Sequence, residues 1–224
     1  MIIFHGSPKE IEKPEYGKGK PYNDYGLGFY CTENIEIAKE WSCSDGYDGF
    51  ANKYALDIKG LKILNLNTPN YSILHWLTLL LKNRTFRLTN SIAKAAKQYL
   101  LEHFIIETTQ YDIIIGYRAD DSYFTFAEDF LNNAISINKL KEAMYLGNLG
   151  EQVVLVSQKA FNSLKFIKAE KADGTKYYVQ KIKRDKAARE KYLNSDRNPS
   201  YELDELYMID IMRQGVKPDD PRLR

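Results

Sequence analysis

Three short stretches hold the residue types that could do chemistry together. His5-Gly6-Ser7 follows the apolar run MIIF, Gly26-Leu27-Gly28 leads into Phe29-Tyr30, and Gln152, beside Glu151, opens the hydrophobic run QVVLV. An imidazole and an amide exchange hydrogen bonds with a ligand, and residues without a Cβ let backbone pass close to what is bound. Tyr30, with Trp41 eleven residues behind it, adds aromatic faces. Taken singly, each has an ordinary role: His5 as a surface or capping histidine, Tyr30 and Trp41 as core in a chain that is 13% aromatic, Gln152 as a polar strand opening. Order and spacing are what join them.

The elements that must hold these residues follow from pattern. Residues 1–5 form a β-like run stopped by Gly-Ser-Pro, and residues 8–26 read as loop. Phe29-Tyr30-Cys31 reads as a strand. Thr32 is placed to cap the helix after it, with Glu33 and Glu36 in the first turn, where the macrodipole favours negative charge. Ile37 and Trp41, four apart, share a face of that helix. Residues 44–49 are a polar turn, 50–58 and 61–66 strands, and apolar residues at helical spacing mark 71–82 and 88–104. A β-branched core makes 111–116 a buried strand, followed by a loop at 117–122 and short helices at 123–131 and 137–144. A turn at 148–150, a strand at 152–156, a helical turn at 160–164 and a strand at 165–169 complete a domain over residues 1–170. Residues 171–224 read as a basic helical appendage: eight Lys or Arg stand against three Asp or Glu over 171–191, and a last amphipathic helix is expected from about 201 to 213.

His5-Gly6-Ser7 and Gly26-x-Gly28-Phe29-Tyr30, with a helix and Trp41 behind, resemble the NAD-binding core of ADP-ribosyltransferases of the diphtheria-toxin and poly(ADP-ribose) polymerase type. The chain is similar more closely to a bacterial family of uncharacterised domains in that superfamily, through the HGS opening, an FGxGFYxT-like segment and a late Gln-Val strand, over roughly residues 1–165. The resemblance implies an α+β fold of split antiparallel β-sheets with flanking helices, and NAD as a substrate with no metal. Transfer of ADP-ribose breaks the bond between nicotinamide and ribose through a transition state of oxocarbenium character, so a site must hold the ribose, grip the nicotinamide and offset developing positive charge. On this resemblance His5 takes ribose hydroxyls, the backbone of Gly6 meets the nicotinamide amide with help from Ser7, Gly28 lets the chain approach the ligand, and Tyr30 and Trp41 sandwich the nicotinamide ring.

Two departures bear on the chemistry. The acidic residue that opens a late strand in the family is here Gln152, which can exchange hydrogen bonds with a ribose hydroxyl but takes no proton and carries no charge. Chain extension, which needs a base, is therefore not expected. Glu151 takes its place only if the strand begins later or bulges, because neighbours on a strand point to opposite faces; otherwise Asp120 or Asp121 could supply an acid. At Ala38 many polymerase-type members have a serine that hydrogen-bonds the nicotinamide amide, so its absence implies weaker or differently oriented NAD binding. The third glycine of a GxGxxG fingerprint is missing after Gly26-Leu27-Gly28, which argues against a dinucleotide-binding βαβ unit.

Composition sets bounds on the rest. The 224 residues, 44% hydrophobic, suffice for one good-sized domain with an appendage. No run approaches the roughly eighteen apolar residues of a membrane span, and the opening residues lack the basic and hydrophobic regions of a signal peptide. Cys31 and Cys43, with no CxxC pattern, suggest neither a disulfide scaffold nor a zinc site, so a cytoplasmic address is expected. A net charge of +2 gives no whole-chain case for nucleic acid.

The expected function is NAD-dependent mono-ADP-ribosylation of an intracellular macromolecule, protein or nucleic acid, with NAD hydrolysis as a side reaction and Gln152→Glu raising it. Small transferases of this resemblance often act as toxins in toxin–antitoxin or defence pairs, which implies an antitoxin partner. The alternative is an inactive NAD-binding or protein-interaction module on the same fold. RNA 2′-phosphate transfer would need basic residues around the cleft rather than on a trailing helix, and nothing near His5 or Tyr30 supplies them.

Overall fold

The computed structural model describes residues 1–88, 90–119, 121–146, 150–195 and 205–223. In chain order these form β1 (Ile2–Ser7), β2 (Phe29–Cys31), α1 (Ile35–Ser42), β3 (Gly49–Leu56), β4 (Ile63–Asn65), α2 (Ile73–Asn83), α3 (Ser91–His103) and β5 (Ile113–Tyr117). There follow α4 (Asp121–Leu131), α5 (Ile137–Ala143), β6 (Glu151–Leu155), α6 (Gln158–Asn162), β7 (Leu164–Ala172), α7 (Gly174–Ser195) and α8 (Met208–Arg213). The class is mixed α+β.

Two open sheets organise the chain. One is antiparallel in the order β1-β3-β7, and the other has the order β2-β6-β5-β4. In the second, β6 runs antiparallel to both β2 and β5, while β4 lies parallel to β5. This corrects the expectation of wholly antiparallel sheets. The segment between β4 and β5 carries α2 and α3, and a helical crossover of that length returns the chain in the same direction. Phe4 and Thr32 exchange backbone hydrogen bonds of 2.8 and 2.9 Å, so β1 and the end of β2 stitch the two sheets together.

A core of Ile3, Phe29, Cys31, Tyr54, Leu56, Ile113, Ile115, Val153 and Leu155 draws on both sheets. Helices cover the other side of the second sheet with a larger core that includes Leu64, Ile114, Val154 and the interior faces of α2, α3, α4, α5 and α8. Residues 73 to 81 of α2 are all buried, as an apolar helix in the middle of a core must be. Each leucine there stabilises the fold by about 1.5–3 kcal/mol, which anchors the end of α2 where Arg84 sits as its C-cap. Among the described residues no helix is long and apolar enough to cross a membrane.

Two local expectations change. The N-cap of α1 is Asn34, whose side chain accepts from the backbone N–H of Glu36 and Ile37, because Thr32 is spent on the bridge to Phe4; Glu33 precedes the helix. The last helix is Met208–Arg213, capped by Tyr207; residues 205–206 are not helical and residues 201–204 lie outside the described set. The basic α7 buries one face through Tyr177, Ala188 and Tyr192, and its Arg184 pairs with the buried Glu40 of α1.

Candidate active site

The end of β1 is held from behind. A Cβ on Gly6 would stand 2.1 Å from the carbonyl oxygen of Ala38, so only glycine lets α1 lie this close to β1. Ala38 itself is fully buried beside Phe4 and Ala51 and does not reach the cavity described below. Asn52 of β3, also fully buried, clamps the same stretch. Its Nδ2 donates to the His5 carbonyl at 3.2 Å and to Ser7 Oγ at 3.1 Å, and its Oδ1 accepts from the Ile11 backbone at 2.8 Å. Ser7 Oγ in turn donates to the Lys9 carbonyl, so the serine hydroxyl serves the loop that starts at Pro8.

His5 is aimed by β2. Its ring lies on Phe29 with centroids 4.2 Å apart, and Nδ1 is 2.7 Å from the Tyr30 carbonyl oxygen. A carbonyl only accepts, so Nδ1 carries the proton and Nε2 keeps its lone pair. Burial pushes the imidazole below its ordinary value and the bond to Tyr30 opposes this in part. At neutral pH His5 is therefore a neutral acceptor at Nε2.

Tyr30 has spent its hydroxyl. It donates to the Gly26 carbonyl at 2.7 Å and accepts from the Tyr25 N–H at 3.0 Å, which folds the loop before β2 over the tyrosine. Burial, reinforced by the nearby Asp24 charge, pushes the phenol well above its ordinary value against the opposing bond from Tyr25. Tyr30 offers a ring and no proton. Trp41 is engaged differently: the guanidinium of Arg118 lies 3.8 Å from its ring centroid, while its indole Nε1 is buried with no hydrogen-bond partner among the described residues.

The strand β6 decides between its two polar residues. Gln152 pairs in register with Gly116 of β5 and is buried, whereas Glu151 is exposed and accepts from Asn67 Nδ2 at 2.7 Å. Gln152 Nε2 donates at 2.9 Å to Asp24, a buried residue that motif reasoning passed over. Asp24 also accepts from the Ala119 backbone N–H at 3.0 Å and from Arg84 at 3.2 Å. Burial raises its carboxyl above the ordinary carboxylate value, and these donors offset part of that rise. The sequence signal was an acid directly before Tyr-Gly-Leu-Gly, in a loop read for its glycines.

These groups meet at one cavity of about 1240 Å³. Its wall includes His5, Gly6, Ser7, Gly28, Tyr30, Trp41 and Gln152, together with Asp24, Arg84, Arg118 and, from α7, Tyr178, Lys181, Ile182 and Asp185. Glu151 and Ala38 do not line it. Asp121 is the first residue of α4 and only its backbone is described; Asp120 lies outside the described residues. The lining carries seven Lys or Arg against five Asp or Glu, so cations do surround the cleft, contrary to what the motifs alone suggested. They come from the loop after β1, the ends of α2 and β5, and α7. No group of three His, Cys, Asp or Glu side chains that could hold a metal ion occurs among the described residues.

No curated protein and no solved structure matches the chain. A family model, described as a protein of unknown function (DUF3990), matches residues 1–166. The match runs from β1 into β7 and contains His5, Asp24, Tyr30, Trp41 and Gln152; α7 and α8 follow it. With well over half its length inside that match, the chain belongs to the DUF3990 family.

Proposed function

We propose that the chain is an NAD-dependent mono-ADP-ribosyltransferase on an α+β scaffold of the ADP-ribosyltransferase type, with NAD hydrolysis as its side reaction. The observation that carries this reading is the convergence of His5, Tyr30, Trp41 and Gln152, from β1, β2, α1 and the distant β6, on one cavity. The volume exceeds the ~300–1,000 Å³ of pockets for drug-sized ligands, which suits a dinucleotide.

The polarity of the wall fits NAD. His5 Nε2 accepts, and Gln152, whose amide N–H is turned to Asp24, has its carbonyl oxygen left to accept, so the pair matches a donor such as a ribose hydroxyl. Oxidised nicotinamide is cationic and competes with Arg118 for the Trp41 face. Ring binding thus displaces the guanidinium, and the diphosphate is a matching site for it. In the reaction the bond from ribose C1′ to nicotinamide nitrogen breaks, its electron pair leaves with nicotinamide, and the acceptor's lone pair forms the new bond to C1′ as its proton passes to solvent. The chain's part is to orient the ribose through His5 and Gln152 and hold the ring at Tyr30 and Trp41.

The acceptor is an intracellular macromolecule, and a cytoplasmic toxin of this kind is paired with an antitoxin protein. Incubation of the purified chain with NAD tests the reading. Nicotinamide release, with label transferred to protein or nucleic acid, supports it; saturable binding without release selects the inactive NAD-binding module. The cationic lining favours one further reading, RNA 2′-phosphate transfer to NAD, which a 2′-phosphorylated oligonucleotide distinguishes by loss of its phosphate.

A further inference from the structure

Of the five acidic residues that line the cavity, Asp24 alone is buried; Glu10, Glu12 and Glu15 are exposed and Asp185 is partly so. It is held at a junction of four segments. Its carboxylate accepts from Gln152 Nε2 on β6, from the Ala119 N–H just past β5, and from Arg84 at the end of α2. The backbone carbonyl of Asp24 accepts from Asn83 Nδ2 at 3.2 Å, and Tyr25 next to it donates through its hydroxyl to the Tyr117 carbonyl at 2.6 Å. The carboxylate has little freedom to move.

An ionised carboxylate accepts and never donates, while a glutamine amide has one end of each kind and nearly the same shape either way round. Asp24 removes that choice. Gln152 must turn its NH2 to Asp24, so its carbonyl oxygen is the end left for the cavity. A hydrogen bond from an amide N–H to an anion also shifts electron density toward the amide oxygen, which strengthens it as an acceptor in a low-dielectric site.

We propose that Asp24 is a positioning residue for Gln152: it fixes which end of the amide meets the ligand and, from behind, lends that oxygen negative character. Resting on the transferase reading, the inference names the source of the negative polarity that Gln152 lacks by itself. Asp24 forms no bond to the ligand.

Asp24→Asn keeps shape and removes charge. The new amide NH2 must face Arg84, the Ala119 N–H or Gln152 Nε2, all donors, and Gln152 is the partner free to answer by turning its own amide over. The variant is expected to lower kcat for nicotinamide release by about tenfold or more while KM for NAD stays within about threefold, because ring and diphosphate contacts remain. The second readout needs no turnover. In protein labelled with isotopic glutamine, the side-chain NH2 resonance missing in Gln152→Ala is assigned to Gln152. In the wild type it should move with the titration of one carboxyl group, and in Asp24→Asn it should sit elsewhere at every pH. A Gln152 resonance indifferent to carboxyl titration in the wild type, or Asp24→Asn with unchanged kcat, overturns the proposal. Should the wild type neither bind nor cleave NAD, the transferase reading falls, and the resonance alone then decides whether Asp24 orients Gln152.

Discussion

The guanidinium of Arg118 lies over the ring of Trp41 at 3.8 Å, on the residue proposed to meet nicotinamide. Two cations do not share one aromatic face, so NAD binding should change the environment of that indole. The chain has two tryptophans, and Trp76 is buried with its Nε1 donating to the Tyr117 carbonyl at 3.1 Å. Titration with NAD is expected to change the fluorescence of the wild type but not of Trp41→Phe. Arg118→Ala should raise KM for NAD by about tenfold, the loss of one charge-assisted hydrogen bond to phosphate. A KM within twofold of wild type would remove Arg118 from the diphosphate.

His5 gives a pH signature. Burial keeps its folded value below the ordinary 6.5, so the unfolded chain takes up the proton first as pH falls. The stability that depends on a neutral His5 is complete above about pH 6.5 and is lost as pH falls from there through the folded value. His75 is shifted the same way by burial, so melting temperatures report both. Nicotinamide release separates them: it should be flat with respect to His5 above about pH 6.5 and fall with an inflection beneath that. His5→Ala should abolish NAD turnover while urea unfolding stays cooperative.

Gln152→Glu no longer reads as a simple gain. The new carboxyl would stand hydrogen-bond distance from Asp24, and two buried carboxylates that close cannot both be ionised. The pair holds one proton with a raised folded value, so it contributes stability below the unfolded carboxyl range that is lost as pH rises through the folded one. The stability deficit of Gln152→Glu against wild type, read from urea unfolding, should widen from about pH 4.5 upward to about 2–4 kcal/mol at pH 7. A deficit that does not depend on pH would place Asp24 elsewhere.

Asn52→Ala tests the clamp on β1. It strips one bond each from the His5 carbonyl, Ser7 Oγ and the Ile11 N–H at once, in buried or half-buried surroundings. A loss of about 2–4 kcal/mol in urea unfolding is expected, with faster trypsin cleavage at Lys18, before Gly19, in the loop over the cavity. Unchanged cleavage would mean that the loop is held from elsewhere.

Much of the scaffold was legible because its signals are local. Phe29–Cys31 stands out as a short aromatic strand after glycines, and the helical spacing of α2 survives to within two residues at each end. What sequence missed is nonlocal. Asp24 meets Arg84, Ala119 and Gln152 across separations of 60, 95 and 128 residues, and no short motif announces such a set. Gln152 and Glu151 could be told apart only by register on β5. Asn34 took the cap from Thr32 because a bridge to another sheet had first claim on the threonine. The parallel placement of β4 likewise depends on where two intervening helices go.

Family membership ends at residue 166, yet α7 beyond it contributes Tyr178, Lys181, Ile182 and Asp185 to the cavity wall. The end of the match therefore falls partway round the cavity wall. The enclosure is thus put together from two lengths of chain, one inside the family match and one after it, and a fragment cut at residue 166 would leave one flank of the hollow open.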